Sequence, residues 1–269
     1  MAQEVLAGGL GETRAASTTS GGTALTDSAT FIQLPLTTGH IDLTPRNFAT
    51  AVVVKYNLNP WLVVLKTIDN LATAPTDYSA TAQDADASTD IDVGSLSTLA
   101  NGDFLLIGSH LPFRGVYIDI DTANTQGTAT ILVEYWNGSA WVDTSATDGT
   151  FSTMVWAVDG LTYWTVPTAW KPGILSAIYP SMPASQYTGL NYYWTRWSVS
   201  AALADSTITF NSMVAANRST AYVERVSGQT FEARIQHGLG GIGCIEALTD
   251  AGTANLIVNV ATQRGGRFA

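Results

Sequence analysis

Few residues in this chain have types and spacings that could do chemistry. The three histidines, His40, His110 and His237, stand far apart and none falls in a His-Glu-x-x-His or similar ligand spacing. Each therefore reads as a solvated or core-edge side chain rather than a metal ligand. Cys244 is the single cysteine and sits in the apolar run Ile242-Gly-Cys-Ile245. That setting raises a thiol pKa and points to a buried structural residue, not a nucleophile. One cysteine also excludes an intramolecular disulfide framework and a Cys-based zinc site. The glycines of Gly238-Leu-Gly-Gly-Ile-Gly243 lack the following Lys-Ser/Thr of a phosphate loop. Asp84, Asp86, Asp90 and Asp92 form the densest carboxylate group. Calcium takes several oxygens from one flexible loop, but the Gly and Glu of an EF-hand loop are missing, so this stretch reads as a solvated acidic loop. Asp119 and Asp121 are of the right type for glycoside hydrolysis, yet alternating exposed Asp on a strand is the commoner arrangement. These residues predict no catalytic constellation, no enzyme and no cofactor.

A sharper pattern is aromatic. The run 131–143 reads as a hairpin: Ile131 to Trp136, then Asn137-Gly138, then Ser139 to Asp143. Asn-Gly is the preferred two-residue type I′ loop, because both positions accept positive φ. With that loop Trp136 faces Ser139 and Glu134 faces Trp141. Alternation places Ile131, Val133, Tyr135, Ala140 and Val142 on one face, the better core face. Leu132, Glu134, Trp136, Trp141 and Asp143 share the other. The two Trp rings beside two carboxylates are read as packing under a neighbouring loop, or as a contact surface for a protein partner or a glycan.

The elements that must position these residues are strands. Ala51–Tyr56, Trp61–Leu65, 103–108, 129–136, 192–199 and 207–210 are β-branched or aromatic runs separated by turn residues. In 115–121, Val116, Ile118 and Ile120 alternate with Tyr117, Asp119 and Asp121. No stretch carries a long helical stripe. This cadence predicts an all-β fold, an antiparallel jelly-roll-like or Greek-key sandwich over residues 30–212. Residues 1–29 are Gly-, Ser- and Thr-rich without a period, and read as an extended arm that is disordered or ordered by a neighbour. Residues 213–269 read as a small C-terminal β-element.

Charge separates these segments. Of 269 residues only 13% are charged, and the net charge is -10. Residues 1–215 hold 7 basic and 18 acidic residues, a balance of -11, whereas 216–269 hold 5 Arg and 4 acids, a balance of +1. An acidic chain argues against nucleic-acid binding, which needs clustered Lys and Arg. No apolar run reaches about 18 residues, so no membrane span is expected. The N-terminus lacks the positive region of a signal peptide, which predicts a chain made in a cytoplasm. A surface so poor in charge fits a chain that spends its life packed in an assembly. Arg264, Arg267 and Phe268 at the C-terminus are the expected docking residues there.

An ordered series carries a resemblance. Glu134-Tyr-Trp-Asn-Gly-Ser-Ala-Trp141, Thr147-Asp-Gly-Thr150, Trp164-Thr-Val-Pro-Thr-Ala-Trp170 and Tyr192-Tyr-Trp-Thr-Arg-Trp-Ser-Val199 follow one another. With the preceding Gly102–Gly108 and Pro112–Val116 runs, this resembles a β-sandwich module of tailed-bacteriophage virion structural proteins, over residues 75 to 212. The resemblance implies a virion protein without an active site: a capsid decoration (cement) protein on a major capsid protein, or a tail, neck or fibre component. A homotrimer docking through the arm and the C-terminus is the expected form, assembled in the host cytoplasm. A carbohydrate-binding module using the Trp136/Trp141 face is the alternative, and a glycoside hydrolase using Asp119, Asp121 or Glu134 a weaker one.

Overall fold

The computed structural model describes residues 12–15, 22–34, 38–51, 53–84, 86, 88–184, 187–234 and 241–263. The strands in chain order are β1 (Glu12–Ala15), β2 (Thr23–Leu25), β3 (Thr30–Gln33), β4 (Thr38–Ala49), β5 (Val54–Pro60), β6 (Val63–Ile68) and β7 (Thr76–Asp77). Then come β8 (Ile91–Asp92), β9 (Asp103–Ser109), β10 (Phe113–Thr122), β11 (Ile131–Trp136), β12 (Trp141–Asp143) and β13 (Gly160–Tyr163). The last are β14 (Gly173–Ile174), β15 (Asn191–Val199), β16 (Thr209–Asn217), β17 (Val223–Arg225), β18 (Phe231–Arg234), β19 (Ile242–Thr249) and β20 (Thr253–Gln263). A short α-helix, α1 (Leu175–Ile178), follows β14. The class is all-β with antiparallel strand pairing between these elements, as the cadence of turn residues implied. No helix among the described residues is long and apolar enough to cross a membrane.

Four sheets make two sandwiches. The central one sets β13-β10-β16-β8 against β12-β11-β15-β9-β6-β7. Val116 and Ile118 of β10 and Met213 and Ala215 of β16 meet Leu105, Ile107, Val133 and Trp197 from the larger sheet. The predicted alternation in 115–121 is what seats them: Val116 and Ile118 are fully buried and Ile120 packs at the rim. Burying a side chain of this kind contributes about 1.5–3 kcal/mol. The terminal sandwich sets β1-β20-β4-β18, with β2 also on β20, against β17-β5-β19-β3. Its core joins Ile41, Leu43, Val54, Tyr56, Ile245 and Leu256.

The position 212/213, expected to divide sandwich from C-terminal element, falls inside β16. Strands β17 to β20 pair with β3, β4 and β5, so the two ends of the chain build the terminal sandwich together. Part of the expected arm is strand: β1 pairs with Val260–Gln263 and β2 with Ala254–Leu256, both along the same edge of β20. Those apolar segments of 30–60 and 242–261 each have one face to bury, and each supplies the other's partner.

The outer face of the larger central sheet is covered too. Leu175, Tyr179, Met182 and Tyr187 pack on Val63, Leu65, Phe104, Leu106 and Trp194. Strand β15 is therefore buried on both faces: Tyr192 and Trp194 point to this outer cluster, Trp197 and Val199 to the central core. Gly108 of β9 makes room for this, since a Cβ there would lie 2.4 Å from the Trp194 ring.

Candidate functional site

The hairpin that carries the Trp pair departs from the predicted turn. Trp136 lies directly opposite Trp141, Tyr135 opposite Val142 and Glu134 opposite Asp143. The loop thus holds four residues, Asn137 to Ala140, not two. Its N–H of Asn137 donates to the Ala140 carbonyl at 3.1 Å. The Asn137 side-chain oxygen accepts from the N–H groups of Ser139 and Ala140, each at 2.9 Å. Only Gly138 takes a positive φ, +100°, where type I′ needs two such residues. The Asn137 side chain thus does the turn's hydrogen bonding, as Asx turns do. The register moves by two residues, and since side chains alternate with period 2 the faces keep their membership.

Val133 and Tyr135 face the central core as expected. On the other face the two Trp rings meet edge to face, centroids 5.5 Å apart. Trp136 and Trp141 are half-buried. Lys171 N–H donates to the Trp136 carbonyl, and a Cβ on Gly173 would lie 3.0 Å from the Trp136 ring. Trp141 packs on the outer cluster beside Tyr179. Arg196 stands 5.0 Å from the Trp141 ring and binds Glu134. This face is therefore packed against Lys171, Gly173 and Tyr179. Asp143 is exposed and caps the next turn by accepting from Ser145 N–H at 2.7 Å. Arg264, Arg267 and Phe268 lie outside the described residues.

Other residues of the aromatic series also make internal hydrogen bonds. Asp148 accepts from the N–H and hydroxyl of Thr150, at 2.9 and 2.6 Å, and closes the Asp-Gly-Thr turn. Trp170 donates to the Trp194 carbonyl at 3.2 Å, and Trp194 to the Gly173 carbonyl at 2.9 Å. No family model, curated protein or solved structure matches this chain.

The remaining sequence candidates are dispersed. Asp84 accepts from Asp86 N–H, Asp86 from Ser88 N–H, and Asp92 pairs with Lys66 at 3.5 Å. Each is occupied locally. Asp121 accepts from the Thr209 hydroxyl, and burial together with the nearby Asp159 charge pushes the Asp119 carboxyl up. Cys244 is fully buried, which pushes its thiol well above its ordinary value. His237 is outside the described residues, and His110 is held down by burial. Among the described residues, one group could hold a metal: His40, Asp42 and Glu232, with ligand atoms all within 4.8 Å of one another. Strand geometry assembles it, for His40 and Asp42 are two apart on β4 and Glu232 is the cross-strand partner of Asp42. His40 Nε2 lies 2.8 Å from Asp42 Oδ1.

Sequence reasoning missed the most polar feature, which lies between the sandwiches. Glu246 on β19 is fully buried and is met by Arg114 from β10. The Tyr222 hydroxyl donates to Glu246 Oε1 at 2.6 Å, and Asn59 and Asn217 N–H groups approach Oε2 at 3.4 Å. Burial, then the hydrogen bond to Glu246 and its charge, push the Tyr222 hydroxyl up to about 12. The available signal was a lone carboxylate in the apolar run 242–248. Around it Asn59 donates to the Ala215 carbonyl at 2.6 Å, Asn217 to the Leu58 carbonyl at 2.9 Å, and Phe31 stacks on Tyr117 at 4.7 Å. The two sandwiches are thus joined by specific polar contacts and one aromatic stack.

Arg114 also lines a cleft of about 510 Å³ at this junction. Arg218, Tyr163, Trp164, Thr147 and Thr220 contribute to its walls, and among the described residues no Asp or Glu lines it. Because Glu246 matches the charge of Arg114, the exposed Arg218 carries the net positive charge of this cleft.

Proposed function

We propose that this chain is a non-enzymatic structural protein of a tailed-phage type virion, a capsid decoration protein that docks on a major capsid protein lattice as a homotrimer. One observation carries the reading. Glu12 pairs with Gln263, so residues 1–11 and 264–269 continue from neighbouring points at one end of the same sheet edge. The points from which the two segments expected to dock leave the sheet, Glu12 and Gln263, are thus cross-strand partners. An arm strand laid on a sheet edge is also the means by which one chain adds a strand to another.

Further support comes from the surface. The charge-poor composition leaves large apolar side chains exposed at scattered points, with Ile68, Phe151 and Tyr163 among the most open. The residues of the phage-like aromatic series serve packing, as they would in a scaffold.

The test removes residues 1–11 and 264–269 together. The account expects the shortened protein to keep its melting transition and to lose cosedimentation with undecorated capsids. Full retention of particle binding would take the termini out of the mechanism.

A further inference from the structure

From the cleft at the junction of the two sandwiches we infer a binding site for an acidic sugar, a hexuronate unit of a polysaccharide. The recognition chemistry is in its walls. Arg218 is exposed and, among the described residues, has no acidic partner. Its planar guanidinium is free to take a carboxylate with two parallel hydrogen bonds. Arg114 also lines the cleft, but its charge is matched by Glu246, so Arg218 alone supplies the net positive charge there.

Hydroxyls of Ser145, Thr147, Thr165 and Thr220 add groups that can donate or accept. Tyr163 is 45% exposed and offers a ring face beside them. A charged group, several hydroxyl partners and an open aromatic face are what a carboxylate-bearing sugar ring needs. A volume of about 510 Å³ lies in the range of small-ligand sites. The site is independent of the Trp136/Trp141 face, which is packed.

The experiment titrates the full chain with an oligosaccharide of glucuronic acid, with the matching glucose oligosaccharide and with a Glu-rich peptide as probes. Binding is expected for the uronate alone. Arg218→Ala is expected to weaken it by about tenfold, the loss of one charge-assisted contact, with an unchanged melting temperature. Arg46→Ala removes an exposed Arg away from the cleft and is expected to leave binding intact. The inference is overturned if the uronate does not bind, or if the glucose oligomer or the peptide binds as tightly. It is also overturned if both Arg variants weaken binding equally, since that would be diffuse charge attraction.

Discussion

Arg196 grips one carboxylate oxygen of Glu134 with two nitrogens, Nε at 2.8 Å and Nη2 at 2.6 Å. The two residues face each other across β15 and β11. Each side chain is only 14% exposed, and the guanidinium also lies beside the Trp141 ring. This pair turns the carboxylate of the aromatic hairpin inward. Glu134, a candidate for contact chemistry by its neighbours in sequence, is committed to holding the hairpin on the central sheet.

Removing one partner of such a pair strands the other. Arg196→Leu is expected to cost about 3 kcal/mol in urea unfolding. The double variant Glu134→Leu/Arg196→Leu should recover most of that loss, because no uncompensated charge remains. Equal losses in the single and double variants would mean the pair contributes only by its packing.

The hairpin loop has its own test. Gly138 has φ +100°, and a Cβ there would lie 3.1 Å from Lys171 Cδ. Gly138→Val is expected to destabilise by about 1–2 kcal/mol through strained backbone. An unchanged melting temperature would contradict the observed turn.

Gln83 holds the point where the chain passes from one sandwich to the other. It is fully buried, accepts from Leu62 N–H at 2.9 Å and donates to the Leu62 carbonyl at 2.6 Å. Gln83→Leu leaves both backbone groups without partners and should cost about 2–4 kcal/mol. Faster hydrogen exchange at the Leu62 amide is the local readout.

How much of this was legible beforehand follows from the range of the interactions. Period-2 alternation over 115–121 placed β10 and its buried face, since side-chain direction on a strand is local. The Trp136/Trp141 face was legible for the same reason, and survived the wrong loop length because the slip was even. The loop length itself was not, because the Asn137 side chain replaced a backbone bond that Asn-Gly usually makes. Cys244 was recognised as buried from its apolar neighbours. The pairing of β4 with β20 joins residues about two hundred positions apart, and nothing local specifies such a partner. A separation of 132 residues likewise hid Arg114 and Glu246, each unremarkable alone. The cover beside Trp141 was missed because Leu175, Tyr179 and Met182, though spaced i, i+4 and i+7, span barely two turns and are interrupted by Pro180 and Pro183.

The link between the sandwiches makes a prediction in pH. Tyr222 has its hydroxyl pushed up to about 12 from 10.0. The folded state thus binds that proton more tightly than the unfolded chain does. The stabilisation is complete below pH 10 and is lost as pH rises towards 12. Tyr222→Phe should flatten this part of the stability profile, measured by denaturant unfolding at stepped alkaline pH. An identical alkaline slope in the variant would place the titration elsewhere.

The central claim is that this chain works as an assembled structural unit. Light scattering on the purified full-length protein, followed by electron microscopy of its mixture with undecorated capsids, tests it most directly. The account predicts a discrete trimer and added density at regular positions on the particle. A protein that stays monomeric at all concentrations and leaves the particles bare would contradict it.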